Sequence, residues 1–100
     1  MEKIIEKKSP EIKLLFTKYG AKSAYLFGSF ASGKSNKKSD VDFLYSFSEE
    51  IDYETYGNNY FGLLKDLKIL LKKEIDLVAE KTLKNPYLIE SINENKIRII

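Results

Sequence analysis

The sequence contains no cysteine and no histidine. Without cysteine neither a disulfide nor a thiolate zinc site can form, and without histidine the other usual metal ligand and the commonest general base are missing. Any acid-base or metal chemistry must therefore rest on carboxylates. A long apolar run is also absent: the opening MEKIIEKKSPEIKLL is broken by charges, and no segment approaches the roughly 18 residues that cross a bilayer. The expectation is a cytoplasmic protein with no membrane partner. Nor is there a charge bias, because 17 basic and 15 acidic residues leave a net charge of only +2. That is far from the strongly basic balance of nucleic-acid binders, so direct nucleic-acid binding is not expected. Internal repeats and low-complexity linkers are missing too. With 100 residues and 43% hydrophobic content, the chain can bury one modest core, which predicts a single domain over 1–100. A chain this short has little room for a substrate-binding apparatus, so something outside it is expected to complete one.

Helical and alternating patterns take turns along the chain. Ser9-Pro10-Glu11 reads as a helix start, with Ser9 as N-cap and Ile12, Leu15, Phe16 and Tyr19 on one face before Gly20. Residues 23–28, SAYLFG, read as a short aromatic strand. Residues 40–47, DVDFLYSF, read as a second strand, with Val41, Phe43, Tyr45 and Phe47 on a core face and Asp40, Asp42, Leu44 and Ser46 opposite. From Tyr53 to Lys72 apolar residues recur at three and four, which predicts a long amphipathic helix. The Tyr53, Tyr56 and Tyr60 stripe on it reads as core or interface rather than as a stacking site. Period two returns in EIDLVA, residues 74–79, with Asp76 opposite the more apolar side. Asn85-Pro86 opens a short helix, and KIRII at 96–100 closes the chain as a strand. The simplest architecture that buries these patterns is α+β: a mixed sheet of about four strands with helices packed on one face.

This places chemistry at one spot. Asp40 and Asp42, two apart on a strand, project side by side on the face that helices do not cover. Carboxylates that close repel each other unless a cation neutralises them, and hard oxygen ligands suit Mg²⁺, which takes its remaining ligands from water and phosphates. The natural occupant is a metal-bound nucleotide. Gly28 permits a sharp exit from the first strand, and Ser29 then opens a turn whose N–H groups and hydroxyl can hold phosphate oxygens. Lys34, Lys37 and Lys38 could offset phosphate charge, although such a lysine loop is more often simply solvated. By itself an Asp-x-Asp is ordinarily an exposed turn and a Gly-Ser a plain one. Joined at this spacing, with Asp76 on the polar face of a third strand, they point to function. Asp76 has the bland alternative of a solvated strand residue, since Glu74 and Glu80 share its face. The reading requires the acidic groups of the different strands to converge beside the Gly-Ser corner.

Gly28-Ser29, ten intervening residues and Asp40-Val41-Asp42 resemble the signature of the nucleotidyltransferase superfamily that includes DNA polymerase beta and kanamycin nucleotidyltransferase. Nearly the whole chain is similar to the minimal nucleotidyltransferases (MNT): LFGS, SDVDFL, DYETYGNNYFGL, EIDLV and NPYLIESI fall in the expected order. The resemblance implies the nucleotidyltransferase fold and transfer of a nucleoside monophosphate, above all AMP from ATP, with Mg²⁺ and release of pyrophosphate. It carries catalytic and metal-binding roles onto Asp40, Asp42 and Asp76, and nucleotide binding onto Gly28 and Ser29. It also implies a partner, a HEPN-family toxin for which the chain is the antitoxin and whose tyrosine hydroxyl is the acceptor. Where those members read Gly-Ser-x-Ala-Arg-Gly, this chain has Ser32, so no contact of that arginine to nucleotide or partner is carried over. A second reading is an antitoxin that neutralises its partner by binding alone. A third, a fragment of a tRNA- or DNA-directed polymerase, is weakened by the absence of a concentrated basic stripe.

Overall fold

The computed structural model describes residues 3–36 and 38–100. Lys37, one of the three lysines of the loop before Asp40, lies outside the described residues. The elements run α1 (Lys3–Lys18), β1 (Ala21–Phe27), α2 (Ser29–Ser32), β2 (Val41–Phe47), α3 (Tyr53–Leu71), β3 (Ile75–Ala79), a 3-10 turn (Glu80–Thr82), α4 (Pro86–Asn95) and β4 (Ile97–Arg98). The four strands form one mixed sheet in the order β3-β2-β1-β4. β1 pairs antiparallel with both β2 and β4, while β2 and β3 are parallel, as their connection through α3 requires.

The alternation of β2 decides which face is core. Val41, Phe43, Tyr45 and Phe47 all join the main buried cluster with Phe16 and Ile12 of α1 and with Leu63, Leu67 and Leu71 of α3. The spacing of four along α3 keeps one stripe on the sheet. Asp52 caps that helix, its Oδ1 accepting the Thr55 N–H at 2.7 Å, and Lys72 ends it in the left-handed region at φ 56°. Of the tyrosine stripe, Tyr56 and Tyr60 pack against the core, whereas Tyr53 is 96% exposed and belongs to no cluster.

Two elements differ from the sequence reading. α1 begins at Lys3, so Pro10 stands inside the helix rather than at its first position. Ile5 explains this: it lies seven residues before Ile12 on the same stripe and is fully buried, and that burial holds the earlier turns in place despite the missing proline N–H. The second difference concerns the face of the sheet turned away from α1 and α3. Leu44 lies there, yet it is only 3% exposed, because α4 with its buried Ile92 covers that end of the face. The acidic end is left open. No helix among the described residues is long and apolar enough to cross a membrane.

Candidate active site

At the open end, strand register makes the site. Asp42, the second residue of β2, is paired across the sheet with Asp76 of parallel β3 on one side and with Phe27 of antiparallel β1 on the other. Paired residues of adjacent strands share a face, so both carboxylates and the Phe27 ring stand in one row. Asp76 is exposed and next to Asp42, not turned into the packed interior, and Asp40 is exposed just before β2 begins. Asp42 itself is half-buried. Burial first, then the charge of Asp76, then that of Asp40 push its carboxyl up to about 6 from an ordinary 3.8. A neighbouring cation would reverse this penalty.

Gly28 sets how closely the backbone approaches these acids. Its φ of 72° and ψ of −153° lie in a region open essentially to glycine alone, and a Cβ there would run into the Asp42 carboxylate. Ser29 begins α2 directly afterwards. The Gly28 carbonyl accepts the Ala31 and Ser32 N–H groups at 3.1 Å each, and the Ser29 carbonyl accepts that of Lys34 at 2.9 Å. Phe30, only 2% exposed, roots this single turn in the core, and Gly33 at φ 79° ends it. The corner is therefore fixed from below. Beyond it Asn36 Oδ1 accepts the Lys38 N–H at 2.8 Å and Ser39 Oγ accepts the Asn36 N–H at 2.9 Å, which folds the loop back toward Asp40. Lys34 and Lys38 are exposed on it.

The donor set suits a hard divalent ion, since it consists of carboxylate oxygens whose mutual repulsion a cation would relieve. Among the described residues no three acidic side chains stand close enough together to hold a metal ion by themselves. The row is an open rim, of the kind on which water or a ligand's phosphates supply the remaining contacts. A larger hollow, about 590 Å³, lies at the opposite end of the sheet among Tyr45, Phe47, Tyr56, Lys22 and Lys81. It contains none of the three aspartates and neither Gly28 nor Ser29.

Two residues beside the corner were not singled out from the sequence. Phe27 shares the acidic face, and the alternation of Tyr25 and Phe27 against buried Ala24 and Leu26 was the available signal. Lys73, in the link from α3 to β3, holds its ammonium 5.5 Å from the centre of the Phe30 ring, and nothing local in KKEID marks that contact.

The sequence model of the family described as "Polymerase beta, Nucleotidyltransferase" matches residues 10–100. A Methanocaldococcus jannaschii protein named as a protein adenylyltransferase, MJ1379, is 37% identical over 87 residues, covering 87% of this chain and 85% of its own. A solved structure described as a minimal nucleotidyltransferase superposes with a TM-score of 0.77 at 28% identity, over 93% of this chain and 90% of that one. The MNT antitoxin solved with a tri-AMPylated HEPN toxin from Shewanella oneidensis has a TM-score of 0.65 at 18% identity, over 95% of this chain and 71% of that one; the likeness there is one of fold.

Proposed function

The chain belongs to the polymerase beta nucleotidyltransferase family, and on that premise we propose that it transfers AMP from Mg²⁺-bound ATP to a tyrosine hydroxyl of a HEPN-type partner, acting as its antitoxin. It is an enzyme of the nucleotidyltransferase class. The finer assignment draws on the relative named as a protein adenylyltransferase and on the fold shared with an MNT antitoxin whose HEPN toxin carries AMP. The observation that carries it is the register pair Asp42 and Asp76 beside the Gly28 turn.

Asp40, Asp42 and Asp76 would hold Mg²⁺, with water and phosphate oxygens as its remaining ligands, and the ion would offset negative charge on the triphosphate and on the reacting phosphorus. Gly28 lets the main chain come close to the acidic row, and Ser29 offers its hydroxyl and the first N–H groups of α2 to the β- and γ-phosphates. The acceptor oxygen forms a bond to the α-phosphorus while the bond to the bridging oxygen breaks, and pyrophosphate leaves with that electron pair. The proton of the acceptor hydroxyl passes to a carboxylate, and Asp76 would accept it where it does not itself bind metal, a role that its exposure and the lack of histidine support. The whole of residues 1–100 serves as one nucleotidyltransferase domain.

Ser32 favours a second reading. Its hydroxyl donates to the Ser29 carbonyl at 3.3 Å, so α2 brings no cation to the phosphates, as expected of an antitoxin that acts by covering its partner. One experiment separates the two: the chain, Mg²⁺, labelled ATP and a HEPN-type partner protein are incubated together. Label should pass to the HEPN protein, and Asp40→Asn/Asp42→Asn should cut transfer at least about a hundredfold. Undiminished transfer by that variant would refute the catalytic roles, and protection of cells by it without transfer would establish the binding-only reading.

A further inference from the structure

A second hollow opens on the acidic face itself, one row below the carboxylates. It measures about 310 Å³, near the lower end for small-ligand pockets. Leu44 forms its floor, and it follows Asp42 by two residues on the same face, roughly 7 Å along the strand. Leu83, after the 3-10 turn, and Ile89 and Ile92 of α4 complete an apolar wall. Polar groups stand at the rim: Glu80, the amide of Asn93 and Lys96. The Lys96 ammonium lies 4.4 Å from the centre of the Tyr25 ring, and Tyr25 is the register partner of Leu44, so that cation and ring mark the β1 side. Leu44 and Ile92 are buried yet stand apart from the main core cluster, as walls of a separate recess do.

We propose that this recess binds the base of the nucleotide whose phosphates rest on the row of Asp42 and Asp76. The proposal rests on the nucleotidyltransferase reading of that row. The distance suits it, because a base is tied to its α-phosphorus through one ribose, and Leu44 is one pleat from the carboxylates. The chemistry suits it as well. A base presents flat apolar faces and an edge of donors and acceptors, which apolar walls with an amide, a carboxylate and an ammonium complement. An acceptor tyrosine fits less well, since its only polar atom is the hydroxyl, which is needed at the carboxylates rather than in the recess.

Binding of ATP and of inorganic tripolyphosphate to the intact chain in Mg²⁺ tests the idea, because the two ligands share phosphates and differ in the nucleoside. The wild-type chain should prefer ATP by about tenfold or more, the affinity range that stacking and edge contacts to a base supply. Ile89→Trp, which fills the recess, should shrink that preference to below about threefold while leaving tripolyphosphate affinity unchanged. Should the half-buried Ile89 not tolerate tryptophan, exposed Asn93→Ala decides: it should weaken ATP by about threefold or more and tripolyphosphate not at all. A folded variant that keeps the full wild-type preference, or a wild-type chain that binds both ligands equally, overturns the proposal. If the wild-type chain binds neither ligand, the nucleotidyltransferase reading falls and the base site with it. If the preference behaves as expected but no AMP is transferred, the recess stands and the transfer reading alone is wrong.

Discussion

The Asp42 carboxylate occupies the space in which a side chain at Gly28 would begin. Two constraints coincide there, since the φ of 72° at Gly28 is itself costly for any other residue. Gly28→Ala must either rotate the main chain or drive the carboxylate out of its row. The expected result is a loss of about 1–3 kcal/mol in stability together with loss of nucleotide transfer. Denaturant titration and the transfer assay check this jointly, and an active, fully stable alanine variant would show that the close approach is dispensable.

The raised carboxyl of Asp42 gives stability a pH dependence of definite sign. Its folded form holds a proton up to about 6, against an ordinary 3.8, because of burial and the charges of Asp76 and Asp40. The favourable contribution is therefore complete below the ordinary value and lost as pH rises through about 6. Asp42→Asn removes the ionisation. In the absence of divalent metal it should be more stable than wild type at neutral pH, by on the order of 1 kcal/mol once solvent screening is allowed for. The difference in Tm between variant and wild type should be small near pH 4 and reach a plateau above about 7. Mg²⁺ should narrow the gap by stabilising the wild type selectively. A difference independent of pH would contradict the electrostatic account of the row.

How much of this was legible in the sequence follows from the range of each physical signal. Period four placed the buried stripe of α3, and period two put Asp42 and Asp76 on faces away from the core. Those are local properties. That the two aspartates stand opposite each other depends on the register of two parallel strands joined by a long helix, and no local pattern fixes it. The burial of Leu44 was hidden for a similar reason. One apolar residue on a polar face looks accidental until a distant segment, α4, folds over it. Ser9-Pro10 misled in the opposite sense: a strong local start signal was overridden by Ile5 reaching the core from an earlier turn.

Pro10 supplies a prediction of its own. The residue is exposed and sits mid-helix, where its ring takes up no core space and its missing N–H leaves the Glu6 carbonyl without the usual partner. Pro10→Ala restores that bond and should raise stability by about 1–2 kcal/mol, less than the full propensity difference because proline also restrains the unfolded chain. A urea unfolding midpoint measures it. Unchanged or lowered stability would mean that α1 relies on a bend at this point.

Gly62 in α3 reverses the usual expectation for a helix. Alanine there should gain about 1 kcal/mol from intrinsic propensity. A Cβ at Gly62, however, would come within 2.7 Å of the Tyr19 ring. That ring has little freedom to retreat, because the Tyr19 hydroxyl donates to Asp66 and the Tyr19 carbonyl accepts the Asn59 amide at 2.9 Å. The bond to Asp66, with burial, also holds the phenol above its ordinary pKa, so the titration of the Tyr19 ring resonances by NMR, resolved from those of the other tyrosines, reports on the same contact. Gly62→Ala should thus destabilise the protein by about 1–2 kcal/mol and let the Tyr19 phenol ionise at lower pH. With Tyr19→Ala already in place the obstacle is gone, and the same substitution should become stabilising by about its propensity value. If Gly62→Ala stabilises the otherwise unaltered chain, α1 and α3 can move apart at this crossing and the ring is not fixed between them.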